Sequence, residues 1–239
     1  MRLRFQNQPL NDVSLSLSCT DELPITLDLA FEIGKYVEKD ALLTKSDNLF
    51  RAPGLSNEAG LISLDPSTLP GFRLILHNGI NIYIQSDVIR VVWASSSGSQ
   101  YPHFEALLEA AEFVQRTFEH ITGDRRKHIV TNVSYTNNIV LKDGESIFDF
   151  LNHDFFCPQV EGLPLTSQYS WRGENCDLRI SLDRMADSNG YVLATAGGIR
   201  VEETSEFWDN GSILNKELNV LFNKLITDEA KKQWQLEKN

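Results

Sequence analysis

Hydrophobic and polar residues alternate from Val13 to Cys19, where Val13, Leu15, Leu17 and Cys19 are separated by Ser14, Ser16 and Ser18. A period of two puts the apolar side chains on one face and predicts a strand buried on that face. Between Ile25 and Val37 two periods compete. Ile25, Leu27, Leu29, Phe31 and Ile33 alternate, whereas Leu29, Ile33 and Val37 recur at helical spacing, so strand and helix both stay open. Lys45 to Pro70 carries Pro53, Gly54, Gly60, Pro66 and Pro70 and is expected to be irregular connection. A meander follows: Phe72 to Leu76, Ile80 to Gln85 and Val88 to Ala94, with reversals at His77-Asn78-Gly79 and Ser86-Asp87. Ser95 to Ser99 is a short serine-rich link.

The period then becomes helical. Phe104, Leu107, Leu108, Ala111, Val114 and Phe118 form one stripe, with Glu105, Glu109, Glu112 and Arg116 outside it and Gly123 placed to end the helix. A strand from Ile129 to Val140 is expected next, then a short helix from Ser146 to Leu151 capped by Ser146. A hairpin pairs Leu178 to Leu182 with Tyr191 onward, turning at Asp187-Ser188-Asn189-Gly190. Ile213, Leu214, Leu218, Leu221, Phe222 and Leu225 mark a C-terminal helix, followed by a charged tail through Lys231 and Lys232.

Both parts of the chain thus run strand, local segment, strands, long helix. The predicted fold class is α+β: an antiparallel sheet with long helices packed on one face, built from two degenerate repeats. The expected halves are 1–122 and 123–239, joined in one compact unit.

Composition narrows the picture. At 239 residues, 41% of them hydrophobic, the chain can bury a sizeable core. No apolar run reaches the roughly 18 to 20 residues of a membrane span, and Met1 to Gln6 lacks the apolar stretch of a secretory signal, so no membrane association and a cytoplasmic location are expected. Cys19, Cys157 and Cys176 are odd in number and widely spaced, which fits reduced thiols. The formal net charge of −11 disfavours nucleic acid as a partner. The basic run Arg125-Arg126-Lys127-His128 is expected in a solvated loop.

Several chemistries lack their residues. His153, Asp154 and Cys157 are the one tight group of metal-ligand types, without the second pair zinc requires. There is no G-x-S-x-G and no phosphate-binding G-x-x-x-x-G-K-[ST], and Ala196-Gly197-Gly198 suits a bulge or close backbone approach within a strand. No cofactor or metal is expected. The polar residues that remain are Tyr101, His103 and Glu105 at a helix entry, and Tyr135 and Asn137, two apart on one strand face. The former could form an acid–base group or simply open the helix. The latter could bind a ligand or peptide, or hydrogen-bond each other inside the protein.

Tyr101-Pro102-His103-Phe104-Glu105 resembles the Tyr-Pro-x-aromatic-Glu helix entry of a sporadically distributed family of uncharacterised bacterial proteins. Pro9 to Val13 is similar to that family's lead into its first strand. Val133-Ser134-Tyr135-Thr136-Asn137 aligns with its Leu-Arg-Tyr-Ile-Asn strand. Phe222 to Glu229 resembles its Phe-x-x-x-Ile-Thr ending before a basic residue and Trp, here Lys232 and Trp234. Ser134 stands where the family has Arg, so any role of that Arg is absent or relocated. The family has no established enzymatic activity, and its patchy distribution points to mobile or defence-associated gene neighbourhoods. The resemblance therefore implies a non-enzymatic, protein-binding or regulatory subunit of a bacterial accessory system, in antiphage defence or toxin-antitoxin function. An enzyme or enzyme component with a polar site near Tyr101, His103, Tyr135 and Asn137 is the alternative, and a homo-oligomeric scaffold a third.

Overall fold

The computed structural model describes residues 4–5, 9–20, 22, 24–39, 71–76, 79–95, 100–123, 126–152, 155, 167–172, 176–186, 188–200, 207–234 and 236–237. The fold is α+β. Strands β2 (Leu10–Cys19), β3 (Gly71–Ile75), β4 (Ile80–Gln85), β5 (Val88–Ala94), β6 (His128–Val140), β7 (Ser167–Arg172), β8 (Asp177–Arg184) and β9 (Gly190–Arg200) form an eight-stranded antiparallel sheet in the order β3-β4-β5-β2-β6-β9-β8-β7. The helices are α1 (Leu27–Lys39), α2 (Phe104–Thr122), α3 (Ile147–Phe150), α4 (Phe207–Leu225) and α5 (Asp228–Gln233). Strands β1 (Arg4–Phe5) and β10 (Leu236–Glu237) pair separately. Among the described residues no helix is long and apolar enough to cross a membrane.

The chain divides into two compact units. One comprises Met1–Val13, Val133–Ile199 and Ser212–Asn239, the other Ser14–Asn132 and Arg200–Gly211. The boundaries fall within β2, β6, β9 and α4, so each unit includes segments distant in sequence.

In the unit built on Ser14–Asn132, alternation does what the pattern predicts. Leu15, Leu17, Ile82, Ile84, Ile89 and Val91 are buried, and so are Leu107, Leu108, Ala111, Val114 and Phe118 of α2, which packs on β4 and β5. Each Val, Leu, Ile or Phe side chain among them contributes about 1.5–3 kcal/mol by leaving water. The ambiguous segment after Ile25 is the helix α1. Thr26 accepts the Leu29 amide through its Oγ1 at 3.1 Å and Asp28 sits in the first turn, which favours the helix start. Ala30 and Ile33 are buried and Phe31 exposed, the helical rather than the alternating pattern. Gly79 has φ 79° at the β3–β4 reversal, and Gly123 ends α2 at φ 81° with its N–H donated to the Glu119 carbonyl.

The basic run requires a correction. Arg126 and His128 are 8% and 3% exposed, so these two residues are not solvated as the run's composition suggests, whereas Lys127 is exposed and Arg125 lies outside the described residues. The Arg126 guanidinium donates to the carbonyls of Gln85 and Ser86 at the β4–β5 reversal and lies 5.4 Å from the Phe118 ring centroid. His128 meets the Phe207 ring edge to face at 5.3 Å.

In the other unit, Ile139, Ile147, Phe150, Leu151, Ile180, Leu182, Leu193, Phe222, Leu225, Ile226, Ala230 and Trp234 make one core. Trp234 stacks with Phe150 at 5.9 Å and with Phe222 at 6.3 Å. Ser146 and Asp149 cap α3 reciprocally, as expected for Ser146. The charged tail through Lys231 and Lys232 is helical over Asp228–Gln233, where Thr227 caps α5 by accepting the Ala230 amide at 3.1 Å. Strand β7 and helix α5 had no clear periodic signature. The links at Lys45 to Pro70 and Ser96 to Ser99 lie outside the described residues, as do His77 and Asn78.

Two glycines of β9 sit under close approach. A Cβ at Gly190 would lie 2.6 Å from the Ile139 carbonyl oxygen, whereas one at Gly197 would meet the ends of the Leu214 and Leu178 side chains at 2.8 and 3.0 Å. Backbone cannot yield as flexible side chains can. Gly190→Ala is therefore expected to destabilise by about 2–3 kcal/mol and Gly197→Ala by about 1 kcal/mol or less, read from denaturant midpoints at constant slope.

Candidate functional site

Tyr101, His103 and Glu105 belong to the unit built on Ser14–Asn132. Trp93, buried at the end of β5, meets the Tyr101 ring at 5.1 Å, and Tyr101 in turn meets the His103 ring at 6.1 Å. The three rings run from core to solvent, with His103 exposed. His103 is the N-cap of α2 and adopts φ 77°, ψ 157° without a side-chain capping bond. It is the one non-glycine residue with positive φ among the described residues. That region is almost reserved for glycine and costs on the order of 1–3 kcal/mol. Glu105 lies in the first turn, where a carboxylate complements the helix dipole.

Tyr135 and Asn137 belong to the other unit, and they do not hydrogen-bond to each other. Tyr135 instead donates its hydroxyl to Asn215 Oδ1 on α4, and Asn219 donates to that oxygen at 2.8 Å and to the Asn215 carbonyl at 2.7 Å. The bond between Tyr135 and Asn137 allowed by the sequence is thus replaced by one to a helix 80 residues away. Asn137 and Thr195 are each 1% exposed, and neither the Asn137 carboxamide nor the Thr195 hydroxyl has a protein partner among the described residues.

The contact between the Leu141 amide and the Asn189 carbonyl fixes the local β6–β9 register. Counted back along the two antiparallel strands, Asn137 faces Leu193 and Tyr135 faces Thr195. Leu214 of α4 covers Gly197 on the same face of β9. Five polar side chains therefore form a layer between strand and helix: Tyr135, Asn137, Thr195, Asn215 and Asn219. Sequence reading missed the last three. Their signal was Asn215 and Asn219, four apart and each adjacent to the apolar stripe at Leu214 and Leu218. The layer offers neutral donors and acceptors, which can hold a small polar molecule or fix the helix on the strands.

The opposite face of each unit's strands is more open. In the first-named unit it includes Asp177, Arg179, Ser181 and Asp183 of β8 beside Gly198, Ala196, Ala194 and Val192 of β9. In the second it includes Arg73, Tyr83 and Arg90, directly opposite one another on β3, β4 and β5.

No group of three or more potential metal ligands occurs among the described residues, and of the His153 to Cys157 stretch only Phe155 is described. Ala196-Gly197-Gly198 lies within β9 in unbroken register with β8, without the bulge its glycines allow, and the nearest groups to Gly197 are the Leu214 and Leu178 side chains rather than backbone. Burial pushes the Cys176 thiol up from its ordinary range, and the carboxylates of Glu217 and Asp177 push it further. Comparison with family models, curated proteins and solved structures finds no match.

Two outcomes follow from this geometry. His103→Gly should raise unfolding stability by about 1 kcal/mol and His103→Val should lower it by a similar amount, measured by thermal melting. Since only the thiolate is nucleophilic, Cys176 should alkylate more slowly than free cysteine at pH 8. Its rate-versus-pH curve should be displaced upward, and Glu217→Gln should bring it partway back.

Proposed function

We propose that the chain is a non-catalytic, protein-binding component, a regulatory subunit of a bacterial accessory system of the antiphage-defence or toxin-antitoxin kind. The observation that carries the binding reading is one-sided burial. Within each unit alternate strand residues are buried, with α2 on β4 and β5 in one and Leu214 of α4 against Gly197 in the other, while many of the residues between them remain partly open to solvent. A sheet face of this kind supplies the area a protein contact needs, about 800 Å² per partner. The bacterial setting rests on the sequence resemblance alone.

We read the chain as two degenerate repeats. The order β2-α1-β3-β4-β5-α2 is followed by β6-α3-β7-β8-β9-α4, and the long helices are of equal length, 19 residues each. The sheet order supports the same reading, since β3-β4-β5-β2 on one side corresponds to β7-β8-β9-β6 on the other. Each repeat in this reading packs its long helix on one face of its strands. A duplicated surface of this kind also suits a homo-oligomeric scaffold, in which a second copy of the chain is the partner.

The enzyme reading has one observation in its favour, the strained backbone of His103, because such residues gather at active sites. It would place acid–base chemistry at Tyr101, His103 and Glu105.

Affinity purification of the tagged full chain from its own host tests the proposal. The expected result is one protein co-purifying at fixed stoichiometry, lost from one of two variants of the open strand faces, Ser181→Arg with Ala194→Arg or Arg73→Ala with Arg90→Ala, while the melting temperature is retained. Retention of that partner by both double variants would contradict a strand-face contact. A stoichiometric metal, or a nucleotide bound at micromolar strength, would favour the enzyme.

A further inference from the structure

Strands β3, β4 and β5 have the sequences GFRLI, INIYIQ and VIRVVWA: two arginines and no acidic residue, in a chain of net charge −11. The register sets Arg73 opposite Tyr83 and Tyr83 opposite Arg90, so both guanidinium groups stand on one face with a phenol ring between their strands. Arg73 is half-buried and Arg90 exposed. No carboxylate is ion-paired with either arginine among the described residues.

Arg73 is held in place. Its Nε and Nη2 both donate to Asn81 Oδ1, at 2.9 and 2.5 Å, and its Cζ lies 5.7 Å from the centroid of the Tyr83 ring. Asn81 is itself anchored by a bond from its Nδ2 to the Gly79 carbonyl at 3.2 Å. Of the five N–H donors of a guanidinium, the two bonds to Asn81 leave three on Arg73 for another acceptor. A guanidinium fixed before binding loses little freedom when a carboxylate arrives, and its planar fork matches one.

We propose that this face of β3, β4 and β5 is a docking surface for an acidic, extended segment of a protein partner, with Arg73 and Arg90 receiving its carboxylates and Tyr83 its intervening apolar or aliphatic atoms. The proposal rests on the protein-binding reading and names the chemistry of the partner. The two arginines are two strand spacings apart, about 9.5 Å at the backbone. Carboxylates at positions i and i+2 of an extended segment point the same way, about 7 Å apart, and the long side chains close the difference. Charge selects the partner. The chain as a whole repels polyanions, so a nucleic acid gains from two arginines but meets the field of the remaining surface, whereas a short acidic segment covers the arginines alone.

Fluorescence anisotropy on the full chain tests this with three labelled probes of equal length: an alternating Glu-Ser peptide, an alternating Lys-Ser peptide and an oligo-dT. Saturable binding of the Glu-Ser peptide is expected, weakening as salt rises, with the other two probes at least tenfold weaker. Arg73→Ala with Arg90→Ala should weaken it at least tenfold. The double Lys variant should fall between, since it keeps the charge and loses the fork. Arg90→Ala alone guards against a folding defect, because Arg90 is exposed, and should weaken binding severalfold at unchanged melting temperature. Absence of Glu-Ser binding, equal binding by the double Ala variant, or tighter binding of oligo-dT overturns the assignment. A host partner retained by the double Ala variant overturns it too and leaves the general binding reading standing.

Discussion

One constraint governs this protein: strands that alternate apolar and polar residues can be covered on one face only. Leu15, Leu17, Ile82, Ile84, Ile89 and Val91 are fully buried in one unit, and Ile139, Ile180, Leu182 and Leu193 in the other. Their sequence neighbours point the other way by the geometry of the pleat. Helix α2 packs on β4 and β5 in one unit, and in the other Leu214 and Asn215 of α4 meet Gly197 and Tyr135. The arginines of β3 and β5 can sit on the same strands as a core because of this division.

Against that background the inward polar residues stand out. Asn137 and Thr195 occupy positions that the alternation assigns to the core, and Tyr135, Asn215 and Asn219 build a hydrogen-bonded layer beside them. A buried polar group is tolerable where it is satisfied, and it also limits how a helix can slide on its strands, because a shift of one turn would break several bonds together. The layer lies in the unit that also holds the aromatic stack of Phe150, Phe222 and Trp234, so packing and polar matching act on the same helix.

Much of the fold was legible, and the reasons for the gaps are local. The meander was readable because Ile80, Ile82 and Ile84 alternate between marked turns, and α2 because its stripe is unbroken from Phe104 to Phe118. The stretch after Ile25 was ambiguous because its residues satisfy both periods; the Thr26 cap decides it. The Arg126 and His128 burial was not legible, since it depends on carbonyls of a turn about 40 residues earlier and on a ring in α4. The candidate site was half legible. Tyr135 and Asn137 could be placed on one face by spacing, but the choice of Asn215 as partner depends on how α4 lies over β6, which no local pattern encodes.

The most direct measurement of one-sided burial is a paired lysine substitution at neighbouring positions, with unfolding free energies from denaturant titration. Val91→Lys and Leu193→Lys, on the covered face, should each lose about 4 kcal/mol or more or fail to fold, since a charge would be buried without a partner. Val92→Lys and Val192→Lys, one residue away on the open face, should stay within about 1 kcal/mol of the parent. Equal losses at neighbouring positions would mean that both faces are covered, and would contradict the account.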